Sequence, residues 1–300
     1  MSNKTQRGTI FLESVQILSH QHFEGDQYVL QVHAPRCAAA ARAGQFAHLQ
    51  CDPSLAMRRP LSIMRCNPAT GRVDFLYKVV GRGTRMLAMR EPGEQISLLG
   101  PIGQPFRPDP LRSRPLLLGG GVGIPPMIFL SEELLATRGK DSNFSPLVLM
   151  GSEAPFPFTR QPSRIMVPGI PDGIIASMPL LEDLGIASRL ASLQDYAGCY
   201  QGYITDLARC WLQASNEQQR SQVEIFACGP HPMLAATAAL AAEFNLPCQV
   251  SLEEYMACAV GGCAGCVVKV ETEQGPAMKR VCVDGPVFEA QSVFGSGDSP

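Results

Sequence analysis

Three cysteines crowd nine residues near the C-terminus. Cys258, Cys263 and Cys266 stand at C-x4-C-x2-C spacing, and Cys282 follows sixteen positions later. Four thiolates so spaced suit a [2Fe–2S] cluster. Gly261, Gly262 and Gly265 lie among them. Glycines let the backbone curl round an inorganic core through conformations closed to residues with a Cβ, and they leave N–H groups free to point at sulfur. Structural zinc, which more often uses two separated C-x2-C pairs, and unliganded thiols are the other readings of this stretch.

Two earlier stretches carry groups suited to anions and aromatic rings. Arg58-Arg59-Pro60-Leu61-Ser62 offers a guanidinium that can clamp a phosphate with paired hydrogen bonds and a hydroxyl three residues on. The plain alternative is a surface arginine pair on an edge strand, with proline at its start. Leu76-Tyr77-Lys78 leads through Val79 and Val80 into Gly81-Arg82-Gly83-Thr84 and a helix-compatible run, Arg85 to Met89. A strand ending so presents free N–H groups to an anion, or simply caps a helix with threonine.

Two glycine-rich turns follow apolar runs. Leu116-Leu-Leu-Gly119-Gly120-Gly121-Val-Gly123-Ile-Pro-Pro-Met127 passes from a buried strand into a turn and then a helix, Met127 to Thr137. The spacing is not G-x-G-x-x-G, but the physics is related: glycines where backbone meets pyrophosphate, ahead of a helix N-terminus. Val223 to Cys228 ends in Gly229-Pro230, before the Ala-rich helix His231 to Phe244 and a further strand, Cys248 to Leu252. By residue type alone, Cys228 reads as a small buried hydrophobe.

The elements that must position these groups differ between the two halves. From Thr9 to Gly100 short strands (28–33, 45–51, 61–66, 73–80, 95–99) alternate with turn signals such as Asn67-Pro68 and Pro92-Gly93, which predicts an antiparallel barrel. After Ser113-Arg114-Pro115, strands alternate with helices, which predicts a parallel sheet with ligands at the strand C-termini. Residues 151–200 are dense in Pro and Gly and predict loops with a short helix at 178–185, in the role of a lid or docking surface. Asp206 is placed to cap the helix Leu207 to Ala214.

The 300-residue chain carries a net charge of −2, 45% hydrophobic and 17% charged residues, and its mean hydropathy is near zero. That balance fits a globular protein of about two domains and gives no signal of nucleic-acid or membrane attraction. Residues 1–8 lack the apolar core of a signal peptide, and glycines and prolines interrupt the most apolar run, 116–130. Of the eleven cysteines, the seven outside the loop motif show no framework spacing, which with the cluster loop suggests a reducing compartment, and the cytoplasm is expected.

The R-P-x-S strand, the Gly83-Thr84 helix start and Gly100-Pro-Ile-Gly-Gln-Pro-Phe106 together resemble the flavin barrel of the ferredoxin–NADP reductase superfamily. The resemblance implies an antiparallel six-stranded FAD-binding barrel over residues 1–110, touched by FAD at Arg59, Pro60, Leu61, Ser62, Leu76, Tyr77, Lys78, Gly83 and Thr84. It implies a parallel-sheet α/β domain over 111–250 that binds NAD, with NADP not excluded, through Gly119, Gly120, Gly121, Gly123, Gly229 and Pro230. Cys228 would lie beside the nicotinamide as the catalytic residue. Residues 251–300 would form a small [2Fe–2S] domain held by Cys258, Cys263, Cys266 and Cys282.

With Cys282-Val-Asp-Gly-Pro-Val-Phe288 after the loop, the order of parts is similar to the electron-transfer subunits of class 1B dihydroorotate dehydrogenase, an oxidoreductase of pyrimidine biosynthesis. That family implies an FMN-bearing catalytic partner in a heterotetramer of two subunits of each kind. Electrons would pass from FMN through [2Fe–2S] and FAD, leaving as hydride to NAD+. Glu253, Glu254 and Asp284 would then be structural or partner-facing. A reductase subunit of a ferredoxin-linked transhydrogenase, glutamate-synthase-like or hydrogenase complex shares the same parts. A non-catalytic four-cysteine zinc scaffold or redox sensor is the reading from another class.

Overall fold

The first half of the chain is built from strands whose alternate residues are apolar. In the computed structural model, which describes residues 9–139, 141 and 143–295, these are β1 (Phe11–Phe23), β2 (Gln27–His33), β3 (Phe46–Gln50), β4 (Arg59–Asn67), β5 (Arg72–Lys78) and β6 (Gln95–Ile102). Helix α1 (Pro35–Ala40) precedes β3, and helix α2 (Arg82–Ala88) precedes β6. The stretch 1–8, read above for a leader, lies outside the described residues.

The six strands close into a barrel in the order β1-β2-β5-β4-β3-β6, with every pairing antiparallel. Closure removes the exposed edges an open sheet would present. Val15, Ile17, Leu30, Val32, Leu49, Ile63, Phe75 and Leu98 are buried in its core, each contributing about 1.5–3 kcal/mol by leaving water.

Strand and helix then alternate. β7 (Arg114–Gly120) runs through a single 3-10 turn, Gly121–Gly123, into α3 (Ile124–Arg138), followed by β8 (Leu147–Gly151). Next come β9 (Gln161–Pro162), β10 (Ala176–Ser177), α4 (Pro179–Asp183), β11 (Ala187–Ser192) and β12 (Tyr200–Gln201). Helices α5 (Ile204–Ala214) and α6 (Glu217–Arg220) lead to β13 (Val223–Cys228), α7 (His231–Glu243) and β14 (Cys248–Ser251). The cysteine arm adds the hairpin β15 (Val267–Thr272) and β16 (Gly275–Arg280), then β17 (Val287–Glu289) and α8 (Ala290–Phe294).

The large sheet has the order β12-β11-β8-β7-β13-β14-β17. Its strands are parallel except β17, which returns antiparallel to β14. The cysteine arm is therefore sewn into the large sheet at its edge. From β7 the chain first builds outward on one side and then, with β13, on the other, so the switch point lies between β7 and β13. In open α/β sheets ligands bind outside the strand C-termini at that point.

Residues 151–200 hold more order than the sequence suggests. β11 carries a buried Arg189 that donates to the carbonyls of Ser188 and Ile165, both at 2.7 Å. Glu182 accepts from the Ser163 hydroxyl at 2.9 Å and the Arg164 N–H at 2.6 Å. Gln27 of the barrel donates to Pro155 O at 2.6 Å. These bonds fasten the segment to sheet and barrel, which argues against a free lid. Asp206 is not the cap of α5: Tyr203 holds that position, and Asp206, inside the first turn, pairs with Arg209 at 3.4 Å.

Candidate functional site

A cleft of about 510 Å³ opens between the barrel and the start of the cysteine arm, within the size range of cofactor sites. Arg59 to Ser62 of β4, Leu76 to Lys78 of β5 and Thr84 line one side, and Ser251 to Met256 line the other. Eight of the nine residues expected at a flavin thus gather in one place. The ninth, Gly83, lies directly behind: a Cβ there would fall 2.5–2.9 Å from the Arg59 guanidinium.

The paired arginines diverge. Arg58 turns to β6, donating to Ser97 O at 2.9 Å and Ser97 Oγ at 2.8 Å. Arg59 stays with the cleft. Thr84 Oγ1 accepts from the N–H groups of Val80 and Gly81 at 3.0 and 3.3 Å, so its hydroxyl closes the start of α2.

Tyr77 stacks on Tyr28, ring centroids 5.4 Å apart, and its hydroxyl lies 2.8 Å from His20 Nε2. His20 Nδ1 lies 2.8 Å from the Arg90 carbonyl, which can only accept. The imidazole is therefore protonated on Nδ1, and Tyr77 donates to Nε2. His20 is a partner that no residue pattern announced.

The four cysteines form two pairs. Cys266 and Cys282 stand 3.3 Å apart at sulfur, and the Cys263 thiol hydrogen-bonds Cys258. Among the described residues no three His, Cys, Asp or Glu side chains are arranged to hold a metal ion. Two thiols per side is what a two-iron cluster asks for. Backbone N–H groups aim at the sulfurs: Gly262 to Cys258 at 3.2 Å and Gly265 to Cys263 at 3.4 Å. Ala259 and Ala264 adopt positive φ, 56° and 53°, to make that curl. Burial pushes the Cys258 thiol up, but N–H donors from Val260, Cys263 and Gly262 outweigh it and bring the pKa down to about 7, towards the thiolate that ligates metal. Donor type, pairing and N–H orientation fit an iron–sulfur cluster.

At the switch point Cys228 pairs with Gly119 and with Ser251, a wall residue of the cleft. A Cβ on Gly123 would overlap the Cys228 carbonyl, and one on Gly120 would meet Met233 Sδ at 2.5 Å. These glycines let turn and strand touch. Gly121, at φ +54° with nothing near its Cβ position, is the one whose face is open. The Cys228 thiol is fully enclosed. Burial pushes its pKa up, the nearby Glu253 adds to this and the Ser251 hydroxyl opposes it, so it stays a neutral thiol rather than a nucleophilic thiolate.

Gly229 and Pro230 line a second cleft of about 390 Å³ with His231 and Lys269. Leu252, Glu253 and Glu254 border both clefts. Glu253, expected as structural or partner-facing, stands on the wall shared by the two clefts, with its side chain exposed there.

The family described as the iron–sulfur cluster binding domain of dihydroorotate dehydrogenase B matches residues 253–294. A protein of Desulforamulus reducens named dihydroorotate dehydrogenase B (NAD(+)), electron transfer subunit, is 30% identical over 89% of this chain and 92% of its own length. One of the same name from Geobacillus thermodenitrificans is 31% identical over 94% and 98%. Among solved structures, that of an NADH-dependent reduced ferredoxin–NADP oxidoreductase superposes with a TM-score of 0.73 at 24% identity, covering 94% of this chain and 90% of that one. A ferredoxin–NADP+ reductase from Neisseria gonorrhoeae gives 0.55 at 15% identity, over 78% and 91%. These two likenesses establish the reductase fold. The relatives' identity and coverage establish more: the chain belongs to the family of dihydroorotate dehydrogenase B (NAD(+)) electron transfer subunits.

Proposed function

We propose that this chain is the electron-transfer subunit of a dihydroorotate dehydrogenase, taking electrons from an FMN-bearing catalytic partner and delivering them to NAD+. The observation that carries the reading is the common wall, Ser251 to Met256, which runs from the candidate flavin cleft into the cysteine loop. Bound here, FAD and a [2Fe–2S] cluster supply the junction between one-electron and two-electron transfer. The protein contributes position, charge and exclusion of water.

Each part of the chain has a role in this reading. Arg59, given room by Gly83, offers a cationic fork to the flavin phosphates. Pro60, Leu61, Ser62, Leu76, Tyr77, Lys78 and Thr84 enclose the rest of the cofactor. Cys258 with Cys263 and Cys266 with Cys282 hold the cluster, one pair to each iron. Gly121, Gly229 and Pro230 flank the nicotinamide dinucleotide at the switch point, with the neutral Cys228 enclosed behind them. A heterotetramer of two chains of each kind suits a relay in which the cluster faces the partner, and the three units divide near 110 and 250.

Two measurements test this. Anaerobically purified protein should show both flavin and iron–sulfur absorbance, and lack of both would overturn the reading. Reconstituted with its catalytic partner, it should make NADH when given dihydroorotate. NADH formation with a different reductase partner, and none with this one, would favour the transhydrogenase-type alternative.

A further inference from the structure

The peptide unit joining Gly261 to Gly262 is held at both ends. Its N–H, on Gly262, donates to Cys258 Sγ at 3.2 Å. Its carbonyl, on Gly261, accepts from the Arg280 guanidinium at 3.2 Å. The N–H on the other side of Gly261 donates to Cys282. One short stretch of backbone therefore reaches both thiol pairs, and a single arginine sits at its far side.

Arg280 is itself fixed. Asp284 accepts its backbone N–H at 2.8 Å and pairs with its Nε at 3.4 Å. The Arg280 carbonyl takes N–H bonds from Val283, Asp284 and Gly285 at 3.1, 2.8 and 3.3 Å. Val281 N–H is tied to Cys266 O at 2.9 Å. At Gly261, φ is +81°, and a Cβ there would meet Val283 Cγ2 at 2.6 Å and Arg280 Nη1 at 3.2 Å. Only glycine lets the loop lie this close to the arginine.

We propose that Arg280, oriented by Asp284, is a positioning residue that sets the cluster's redox potential by aligning and polarising the Gly261–Gly262 peptide against the Cys258 sulfur. A cation at a carbonyl draws electron density from the attached N–H, which strengthens the bond that N–H makes, since linked hydrogen bonds polarise one another. Hydrogen bonds to cluster sulfurs favour the more negative, reduced form and so raise the potential. The guanidinium charge acts in the same direction. The Asp284 carboxylate moderates that charge while holding the side chain in place. This also gives Asp284 of the Cys282-Val-Asp284-Gly-Pro run a task inside the chain rather than at a partner.

The inference rests on the cluster reading above. Arg280→Ala and Arg280→Gln are to be compared with the unmutated protein, in holoprotein, by redox titration followed by electron paramagnetic resonance, with the flavin potential recorded alongside. The expected result is a lower cluster potential in Arg280→Ala, a smaller fall in Arg280→Gln, which keeps a donor without charge, and an unmoved flavin potential. Equal cluster potentials in all three proteins would overturn the inference, as would cluster and flavin potentials that fall together. If Arg280→Ala fails to assemble, Arg280→Gln alone decides by the same comparison. An unmutated protein that holds no cluster defeats the cluster reading itself, a result separate from an intact cluster with unmoved potential.

Discussion

The backbone N–H of Gln104 donates to the carbonyl of Gly285 at 2.6 Å, joining the end of the barrel to the turn just after the fourth cysteine. The Gln104 side chain adds a second bond, to Val283 O at 3.1 Å, and Pro286 lines the cleft. The distance between the candidate flavin cleft and the cysteine loop is thus set by backbone contacts, not by a flexible tether. Gln104→Ala removes the side-chain bond, worth about 0.5–1.5 kcal/mol. Hydrogen exchange in residues 283–286 should quicken while the barrel strands keep their protection. Equal exchange in both proteins would mean that the side chain contributes nothing to the junction.

Arg59→Ala should weaken flavin binding by about ten- to a hundredfold, from the loss of charge-assisted hydrogen bonds worth about 1.5–3 kcal/mol. Arg58→Ala should not, because Arg58 is committed to Ser97. Flavin retained per chain after gel filtration, with folding checked by circular dichroism, separates the two. Equal retention would place the phosphates elsewhere.

Gly123→Ala would drive a methyl group into the Cys228 carbonyl. Overpacking of this kind costs about 1–3 kcal/mol, and a domain of this size should lose several degrees in Tm. Gly121→Ala has open space but sits at φ +54°, so its cost is backbone strain alone and should be smaller. Thermal unfolding of both variants gives the order.

His48 is wholly buried, and neither ring nitrogen has a hydrogen-bond partner. Burial first, then the charges of Arg58 and Arg59, lower its pKa from 6.5 to about 4. The unfolded chain therefore binds a proton between those values and the folded chain does not. The stability His48 allows is fully present above pH 6.5 and is lost as pH falls towards 4, by roughly 3 kcal/mol in all. His48→Leu should flatten the loss of stability over that range, as read from denaturant midpoints. An unchanged slope would assign the acid sensitivity to other groups.

Much of this was legible because the chemistry sits in short runs. Cysteine spacing, an arginine before proline and glycines after apolar strands each carry their reason in residue type, and the apolar alternation of Tyr28 to His33 and Val73 to Val80 marked barrel strands. What stayed hidden depends on contacts distant in sequence. β11 contains Arg189, whose charge is met by carbonyls 1 and 24 residues away, so its sequence reads as a loop. β17 has three residues and exists because β14 offers an edge. Arg58 and Arg59 are adjacent and alike, and only the entry of the chain into β4 at Arg59 separates the one that faces the cleft from the one that turns to Ser97. Glu253 became a cleft residue only when β14 was placed beside the switch point.

If electrons cross this chain through the cysteine loop and then the candidate flavin cleft, Cys263→Ser must interrupt the relay. Cys263 is an exposed member of the loop, so its loss spares the buried core. With the catalytic partner present, dihydroorotate-dependent NADH formation should fall to background together with the cluster spectrum, while reduction of bound FAD by NADH continues at the unmutated rate. NADH formation from dihydroorotate at the unmutated rate, in protein shown to lack the cluster, would contradict the account.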